Sequence, residues 1–409
     1  MIKKTCRGCH SNNLKQILSL GNSPLANNLL DKVGECILYP LNLNLCLDCF
    51  NCQLTYVVPP NKMFKKYLYV SSTTKSFREH FNKAAKKYTK KFNLNKDSFV
   101  IDIGSNDGIA LKPLVKKDIK VLGIEPASNI CKIATENGIS TYCGYFDDKA
   151  TNLIEQKADL ITASNVFAHA DDLESITKNA FKELKEDGCF VVEVQYLLDT
   201  IKDLTFDNIY HEHVNYWSVT SINSFFNRLG FKVNEIEHIN THGGSIRVYV
   251  KRKEHTPHYS VKEFLEIEEK FGVNKLKTYL NFSKNISKRK KSLLTTLNKI
   301  KKEGHKIIGY GAPAKATTLL NSFNIDNSIL SCIVDDNILK HNKIVPKVNI
   351  PIYSKENAIK KDTKYILILA WNFYKEIINN NNDLLNRGIN FIVPTQEVKI
   401  INKENYECS

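Results

Sequence analysis

Apolar residues recur along the chain at two different periods. Residues 77–92 carry the pattern of a basic amphipathic helix, with Lys83, Lys86, Lys87, Lys90 and Lys91 at helical spacing on a solvated face. Short apolar runs follow at residues 99–103, 121–124, 140–143, 158–163 and 189–194, each of a length suited to a buried strand. Residues 109–115 and 127–137 between them read as helices. Strands alternating with helices predict a parallel α/β sheet. Residues 241–250 read as a turn entering an edge strand, and residues 255–259, with Pro257, as a boundary. Residues 261–303 read as helical and rich in lysine, with Leu293, Leu297 and Ile300 on an apolar stripe. A second strand–loop–helix unit starts at residues 306–317, and further strands are predicted at 332–335, 350–352, 365–370 and 391–394. The pattern divides the chain into an N-terminal module (1–72), a central α/β domain (73–255), a helical connector (256–304) and a second α/β domain (305–409).

Composition sharpens this division in a few places. A length of 409 residues suits two or three domains with ample core, and a hydrophobic content of 42% is ordinary for a soluble protein. No apolar run approaches the roughly 20 residues of a membrane helix. Met1-Ile2-Lys3-Lys4-Thr5-Cys6 lacks the apolar core of a signal peptide, so a cytoplasmic protein without a membrane partner is expected. The net charge of +15 raises the question of nucleic acid. No helix-turn-helix or RNA-binding signature accompanies it, so the basic runs read as solvated helix faces and no nucleic-acid partner is expected. A small anionic substrate also suits positive charge. The eleven cysteines, an odd number, argue against a disulfide framework. Cys131, Cys143, Cys189 and Cys332 sit in apolar or helical surroundings and are expected in the core.

Two stretches carry candidate chemistry. Cys6-Arg7-Gly8-Cys9 and Cys46-Leu47-Asp48-Cys49 are C-x2-C pairs, and two such pairs complete a tetrahedral zinc site. Residues 10–45 separate them, more than a compact site uses, and Cys36 and Cys52 compete as ligands. Four thiolates leave no position for water, so this Zn2+ would be structural. The second stretch runs from Phe99 through Asp102, Gly104 and Gly108, an apolar strand entering a glycine turn before a helix. That geometry holds a nucleotide-like ligand. Asn106 breaks the G-x-G-x-x-G dinucleotide pattern, and the remaining D-x-G-x-x-x-G resembles motif I of S-adenosylmethionine methyltransferases. Glu125, one strand further on, is placed to bond ribose hydroxyls. Phe146 belongs either on the adenine ring or in the core. Residues 164–172 follow the fourth strand and bring Asn165 and His169 to the rim of the ligand crevice.

Between the cysteine pairs stand Leu20-Gly21-Asn22-Ser23-Pro24-Leu25-Ala26-Asn27 and Tyr39-Pro40-Leu41. Cys52-Gln53-Leu54, Val58-Pro59-Pro60 and Tyr67-Leu68-Tyr69-Val70-Ser71 come after them. In this order the chain resembles the sugar C-methyltransferase family, which acts on nucleotide-linked keto-deoxysugars. The resemblance implies an α/β protein: an N-terminal zinc module, a central S-adenosylmethionine-dependent Rossmann-like methyltransferase domain and a C-terminal second Rossmann-like domain. It is strongest at Tyr210-His211-Glu212-His213-Val214-Asn215-Tyr216, which matches the family's Tyr-His-Glu-His-x-x-Tyr. The carry-over makes His213 the base, with Glu212 and Tyr210 assisting. The family's histidine after the fourth strand maps to His169, and its active-site tyrosine to Tyr69, with Tyr67 as the alternative. His242-Gly243-Gly244-Ser245-Ile246-Arg247 matches the family's His-Gly-Gly-Ser-x-Arg and brings His242 and Ser245 near the substrate, with Arg247 as an anion or structural contact. In the C-terminal domain, which helps the family hold its nucleotide, Tyr310, Ala312 and Lys315 are the corresponding candidates. Glu193-Val194-Gln195-Tyr196 departs from relatives that carry proline after this strand. The implied activity is C-methylation of a nucleotide-linked 4-keto-deoxysugar at C3. O- or N-methylation of a related sugar is the nearest alternative. A zinc-dependent nucleic-acid-binding protein with a vestigial S-adenosylmethionine fold is an alternative of another class.

Overall fold

A computed structural model of the chain describes residues 1–63, 71–241, 243–395 and 397–406. Tyr67, Tyr69 and His242 lie outside the described residues. The first region supplies β1 (Leu14–Ser23), β2 (Tyr39–Cys46) and β3 (Cys52–Leu54). The central region supplies β4 (Phe99–Ile103), β5 (Lys120–Glu125), β6 (Thr141–Cys143), β7 (Ala158–Ser164), β8 (Leu184–Gln195), β9 (Asn215–Tyr216), β10 (Phe231–Ile239) and β11 (Ser245–Arg252). The last region supplies β12 (Ile307–Tyr310), β13 (Leu330–Val334), β14 (Ile344–Val345), β15 (Ile350–Tyr353), β16 (Tyr365–Ile368), β17 (Asn390–Pro394) and β18 (Val398–Ile401).

The unbroken apolar runs become inner parallel strands, because helices cover both faces of such a sheet. The central sheet has the order β10–β11–β8–β7–β4–β5–β6. It is parallel from β8 to β6, and β11 runs antiparallel to both of its neighbours. Neighbours lie on both sides of β4, so its carboxyl end opens on the crevice where such sheets bind ligands. The sequence pattern places β11 at the edge, but the structure puts it inside. Ile246, Val248 and Val250 face one core and Tyr249 the other, and β10 takes the edge. The helix expected from Ile109 forms only over Lys112–Val115, because turn hydrogen bonds back to Gly108 occupy the preceding residues. The basic helix spans Lys75–Lys91. Cys131, Cys189 and Cys332 are buried, whereas Cys143, expected in the core, is exposed at the end of edge strand β6.

The C-terminal sheet repeats the plan, with β12 between parallel β13 and β16 in the order β14–β15–β13–β12–β16–β17–β18. The N-terminal sheet, β1–β2–β3–β9, is antiparallel and takes its last strand from the central region. Cys52 lies opposite Tyr216 and Gln53 opposite Asn215, so the segment carrying Tyr210 to Tyr216 is stitched to the cysteine-bearing module. The helix Leu276–Lys302 buries Tyr279, Phe282, Ile286, Arg289, Leu293, Leu297 and Ile300, whose three- and four-residue spacing makes one buried stripe, apolar but for Arg289. This stripe shares a core with Leu43 and Leu54 of the N-terminal sheet, Phe206 and Ile209 of the central region, and Leu319 and Phe323 of the C-terminal region. Among the described residues no helix is long and apolar enough to cross a membrane.

Candidate active site

At the end of β4 the backbone turns through left-handed conformations at Gly104 (φ +66°), Asn106 (φ 50°) and Gly108 (φ +80°). A Cβ on Gly104 would stand 2.7 Å from Val166 Cγ2, and one on Gly108 2.5 Å from Ile139 Cγ1, so both positions require glycine. Glu125 closes the turn from the end of β5. Its carboxylate accepts the Asn106 N–H at 3.0 Å and the Ala127 N–H at 2.9 Å. Burial pushes the Glu125 carboxyl above its usual range, and these two amides oppose the shift. Each oxygen retains a lone pair for a ribose hydroxyl. Asp102 is buried beneath the turn and accepts the Thr162 hydroxyl at 2.6 Å, tying β4 to β7. Burial pushes its carboxyl up to about 7, against that hydrogen bond. The Ser71 N–H donates to Asn106 Oδ1 at 2.9 Å and so sits against the turn. Asn165 follows β7 in a left-handed conformation (φ 60°) and donates its N–H to the Glu193 carbonyl at 2.7 Å. Phe146 is buried in the central core. A glycine turn with no room for a Cβ and an acid at the next strand end fit an adenosyl ligand. Glu125→Ala is expected to weaken S-adenosylmethionine binding about tenfold to a hundredfold, because charge-assisted hydrogen bonds contribute about 1.5–3 kcal/mol. Titration calorimetry measures it, and unchanged affinity contradicts the assignment.

The loop between Phe206 and Tyr216 carries the second half of the site. His213 Nδ1 lies 3.1 Å from the Asn208 carbonyl oxygen, which only accepts, so Nδ1 carries the proton. Nε2 lies 3.0 Å from the Tyr210 hydroxyl, so a neutral His213 directs its lone pair to that side. The His169 ring stands edge-on to His213, with centroids 4.9 Å apart and planes at 75°. His169 reaches this place because the Ala168 carbonyl accepts the Val214 N–H at 2.7 Å, which joins the β7 rim to the loop. Glu212 Oε1 accepts the Asn27 side-chain N–H at 2.6 Å. Burial pushes the Glu212 carboxyl up, and Asn27 opposes the shift. His211 points inward against Tyr39, with ring centroids 5.8 Å apart, and burial lowers it to about 4, so it is neutral near pH 7. The structure thus brings His169, Tyr210 and His213 together, with Glu212 in the same loop bonded to Asn27, while Tyr69 and His242 lie outside the described residues.

Other predicted residues have partners within the chain. Ser245 is buried and its hydroxyl donates to the Thr241 carbonyl at 3.1 Å. Arg247 is buried, donates to Glu193 at 2.8 Å and 3.1 Å and to Glu237 at 3.4 Å, and stacks over Tyr88. His80 lies 2.8 Å from the other Glu193 oxygen. Burial opposes ionisation of Glu193, but His80 and Arg247 outweigh it and hold its carboxyl below the usual range. In the C-terminal region the Ala312 N–H donates to Asp335 at 2.7 Å, repeating the acid-to-turn bond of Glu125. The Tyr310 hydroxyl donates to Asp336 at 3.2 Å and accepts from Asn381 at 3.2 Å. Lys315 is buried, donates to Asn372 and lies over the Phe373 ring. Burial lowers its ammonium to about 8, and Asp207 opposes the shift.

A buried charged cluster ties this C-terminal group to the loop that carries His213. Asp207 is fully buried and accepts the Trp371 indole N–H at 2.7 Å. Burial pushes its carboxyl up, and Lys315 and Arg289 oppose the shift. The Arg289 guanidinium lies over Trp371 and donates to the Leu204 carbonyl at 2.8 Å. Removing one member leaves the others buried without their counter-charge. Asp207→Ala also leaves the buried Trp371 N–H without its acceptor and is expected to destabilise the protein by about 1–3 kcal/mol. Denaturant unfolding checks this, and a loss under about 0.5 kcal/mol, typical of a surface change, contradicts it.

The four predicted thiolates converge. The Sγ atoms of Cys6, Cys9, Cys46 and Cys49 all lie within 4.8 Å of one another, with Cys6–Cys49 at 3.5 Å and Cys9–Cys46 at 3.6 Å. Zinc–thiolate bonds of about 2.3 Å in a tetrahedron place sulfurs about 3.8 Å apart, so the set fits zinc. Cys52 belongs to the apolar core under β3, and Cys36 is likewise outside the cluster.

Comparison with known proteins bears on the whole chain. Residues 6–64 match a family model described as "Putative zinc binding domain", residues 76–236 one described as "Methyltransferase domain", and residues 240–395 one described as "C-methyltransferase C-terminal domain". C-methyltransferase NovU of Streptomyces niveus is 32% identical over 408 residues, covering 98% of this chain and 97% of that one. Among solved structures, magnesium protoporphyrin IX methyltransferase of Synechocystis with bound SAH is 12% identical, covering 43% of this chain and 83% of that one with a TM-score of 0.35. An S-adenosylmethionine-dependent methyltransferase of Clostridium acetobutylicum is 14% identical, covering 47% and 96%, with a TM-score of 0.36. Because the identity to a C-methyltransferase runs almost from end to end, the chain belongs to the C-methyltransferase family and is an S-adenosylmethionine-dependent enzyme.

Proposed function

We propose that the enzyme methylates C3 of a nucleotide-linked 4-keto-deoxysugar and that His213 is its base. The observation that carries this reading is the oriented His213 ring, with Nδ1–H on the Asn208 carbonyl and Nε2 toward Tyr210. A keto group acidifies the neighbouring C–H, and Nε2 of the neutral ring takes that proton. Tyr210 and His169 offer hydrogen bonds to the developing enolate oxygen, and Glu212 orients the network. S-adenosylmethionine, when bound, supplies the methyl group as an electrophile. Asp102, Gly104, Gly108, Glu125 and Asn165 form the part of the crevice that would hold it. Tyr310, Ala312 and Lys315 hold the nucleotide, where the Lys315 ammonium suits a phosphate. The likeness to C-methyltransferase NovU, at 32% identity, favours methylation of carbon over that of oxygen or nitrogen. In heavy water, with S-adenosylhomocysteine replacing the methyl donor, the enzyme is expected to exchange the proton beside the keto group. O- and N-methylation need no such step, so methyl transfer without a route to exchange contradicts the proposal.

A further inference from the structure

We infer that Asn27, carried by the N-terminal zinc module, is a positioning residue of the active site that holds Glu212 in its working orientation. This rests on the reading of Glu212 and His213 as the reactive centre. Asn27 stands 185 positions before Glu212, yet its side-chain N–H donates to Glu212 Oε1 at 2.6 Å. The segment around it is pinned from the C-terminal region on both sides. The Thr317 hydroxyl donates to the Ala26 carbonyl at 2.9 Å, and Lys347 donates to the Asn22 carbonyl at 2.8 Å. Leu30 and Ile344 exchange backbone hydrogen bonds of 2.9 Å and 2.8 Å. Ala26 is buried while the Asn27 side chain is exposed, so the backbone is fixed and the amide reaches outward to the loop. The helix Ala314–Phe323, which carries Thr317, bonds the loop itself, through the Thr318 hydroxyl and the Ile209 carbonyl at 3.3 Å. Asn27 and Glu212 are therefore held against one scaffold.

The chemistry of the pair is specific. Glu212 has His211 and His213 on either side in its own loop, Tyr210 against His213, and Asn27 reaching it from the module. Among the described residues no lysine or arginine forms an ion pair with it. An amide N–H bonded to a carboxylate favours the charged form, and burial favours the neutral one. Removing the amide leaves burial to act alone, which raises the titration midpoint. A carboxylate at position 27 raises it further by like-charge repulsion.

The test uses full-length enzyme labelled with 13C at the glutamate side-chain carboxyl. The Glu212 resonance is identified by its absence in Glu212→Gln. In Asn27→Ala the Glu212 midpoint is expected above that of the unaltered enzyme, and in Asn27→Asp higher still. The acid limb of the pH–rate profile should move the same way, measured with the keto-sugar nucleotide turned over best in a panel. Turnover should fall about tenfold, as for loss of one hydrogen bond to a charged group, with zinc content and S-adenosylmethionine affinity unchanged. An unmoved midpoint, beside a Glu212→Gln enzyme that is inactive, overturns the role of Asn27 alone. Full turnover by Glu212→Gln overturns the functional reading of Glu212, and the role of Asn27 with it.

Discussion

Replacing His213 with alanine is expected to lower methyl transfer about 10²–10⁴-fold while S-adenosylmethionine still binds, because general-base catalysis contributes in that range. The separation of the two effects follows from the geometry. Glu125 and the glycine turn lie at the ends of β4 and β5, whereas His213 is held by Asn208 and Tyr210 on a loop stitched to the N-terminal sheet. His213→Asn keeps a polar side chain but offers no base, so it should lose as much. Proton exchange beside the keto group should vanish together with methylation. In the proposed mechanism Tyr210, Glu212 and His169 support the base or the enolate, and water would replace part of what each provides, so their substitution should cost less. Calorimetry with S-adenosylmethionine and far-ultraviolet circular dichroism establish that the variant is folded and loaded. Near wild-type turnover by such a variant would remove His213 from the mechanism and leave His169 and Tyr69 as the next candidates.

Removing zinc is expected to unfold the two cysteine loops of the N-terminal module and to lower activity with them, while β1 to β3 keep their place in the shared core. Among the described residues the cluster formed by Cys6, Cys46 and Cys49 packs only Cys9 and Leu14 around it, too little apolar surface to hold the loops without a metal. Metal-binding energy becomes folding energy in such a module, and structural zinc sites bind with about 10–16 kcal/mol. Cys46→Ser removes one thiolate and should destabilise the module. The damage should spread to the active site, because β3 pairs with β9 directly after His213 and Asn27 rests on Glu212. Elemental analysis of protein purified without added metal should give one zinc per chain. Near-zero zinc with intact fold and activity would contradict this.

The regions that fold by short-range pattern were legible in the sequence. The five central apolar runs became β4 to β8, and two C-x2-C pairs converged on one site although residues 10–45 separate them. The glycine turn was legible because Gly104 and Gly108 occupy conformations that admit no side chain. Long-range pairing was not. The run entering at Ser245 became an inner strand because β10, which has a mixed burial pattern, covers its outer side. Nothing local to Asn215 and Tyr216 announces that they extend a sheet begun at Leu14. Arg289 left a faint signal, a charge in the otherwise apolar stripe of the helix Leu276–Lys302. Asp207, Trp371 and Glu193 left none, since each acquires its meaning from partners distant in sequence. Asn27 stood inside a quoted motif, but its partner Glu212 emerges only when the C-terminal region pins residues 22–30.

Carbon methylation of a nucleotide-linked keto-sugar is the reaction proposed for this enzyme. The most direct measurement incubates the enzyme with S-adenosylmethionine and a panel of nucleotide-linked keto-deoxysugars, and reads the products by mass spectrometry and carbon NMR. One added methyl group is expected on C3, beside the keto carbon, with loss of that carbon's proton to solvent. A methyl group on oxygen or nitrogen, or no methylated sugar across the panel, would contradict it.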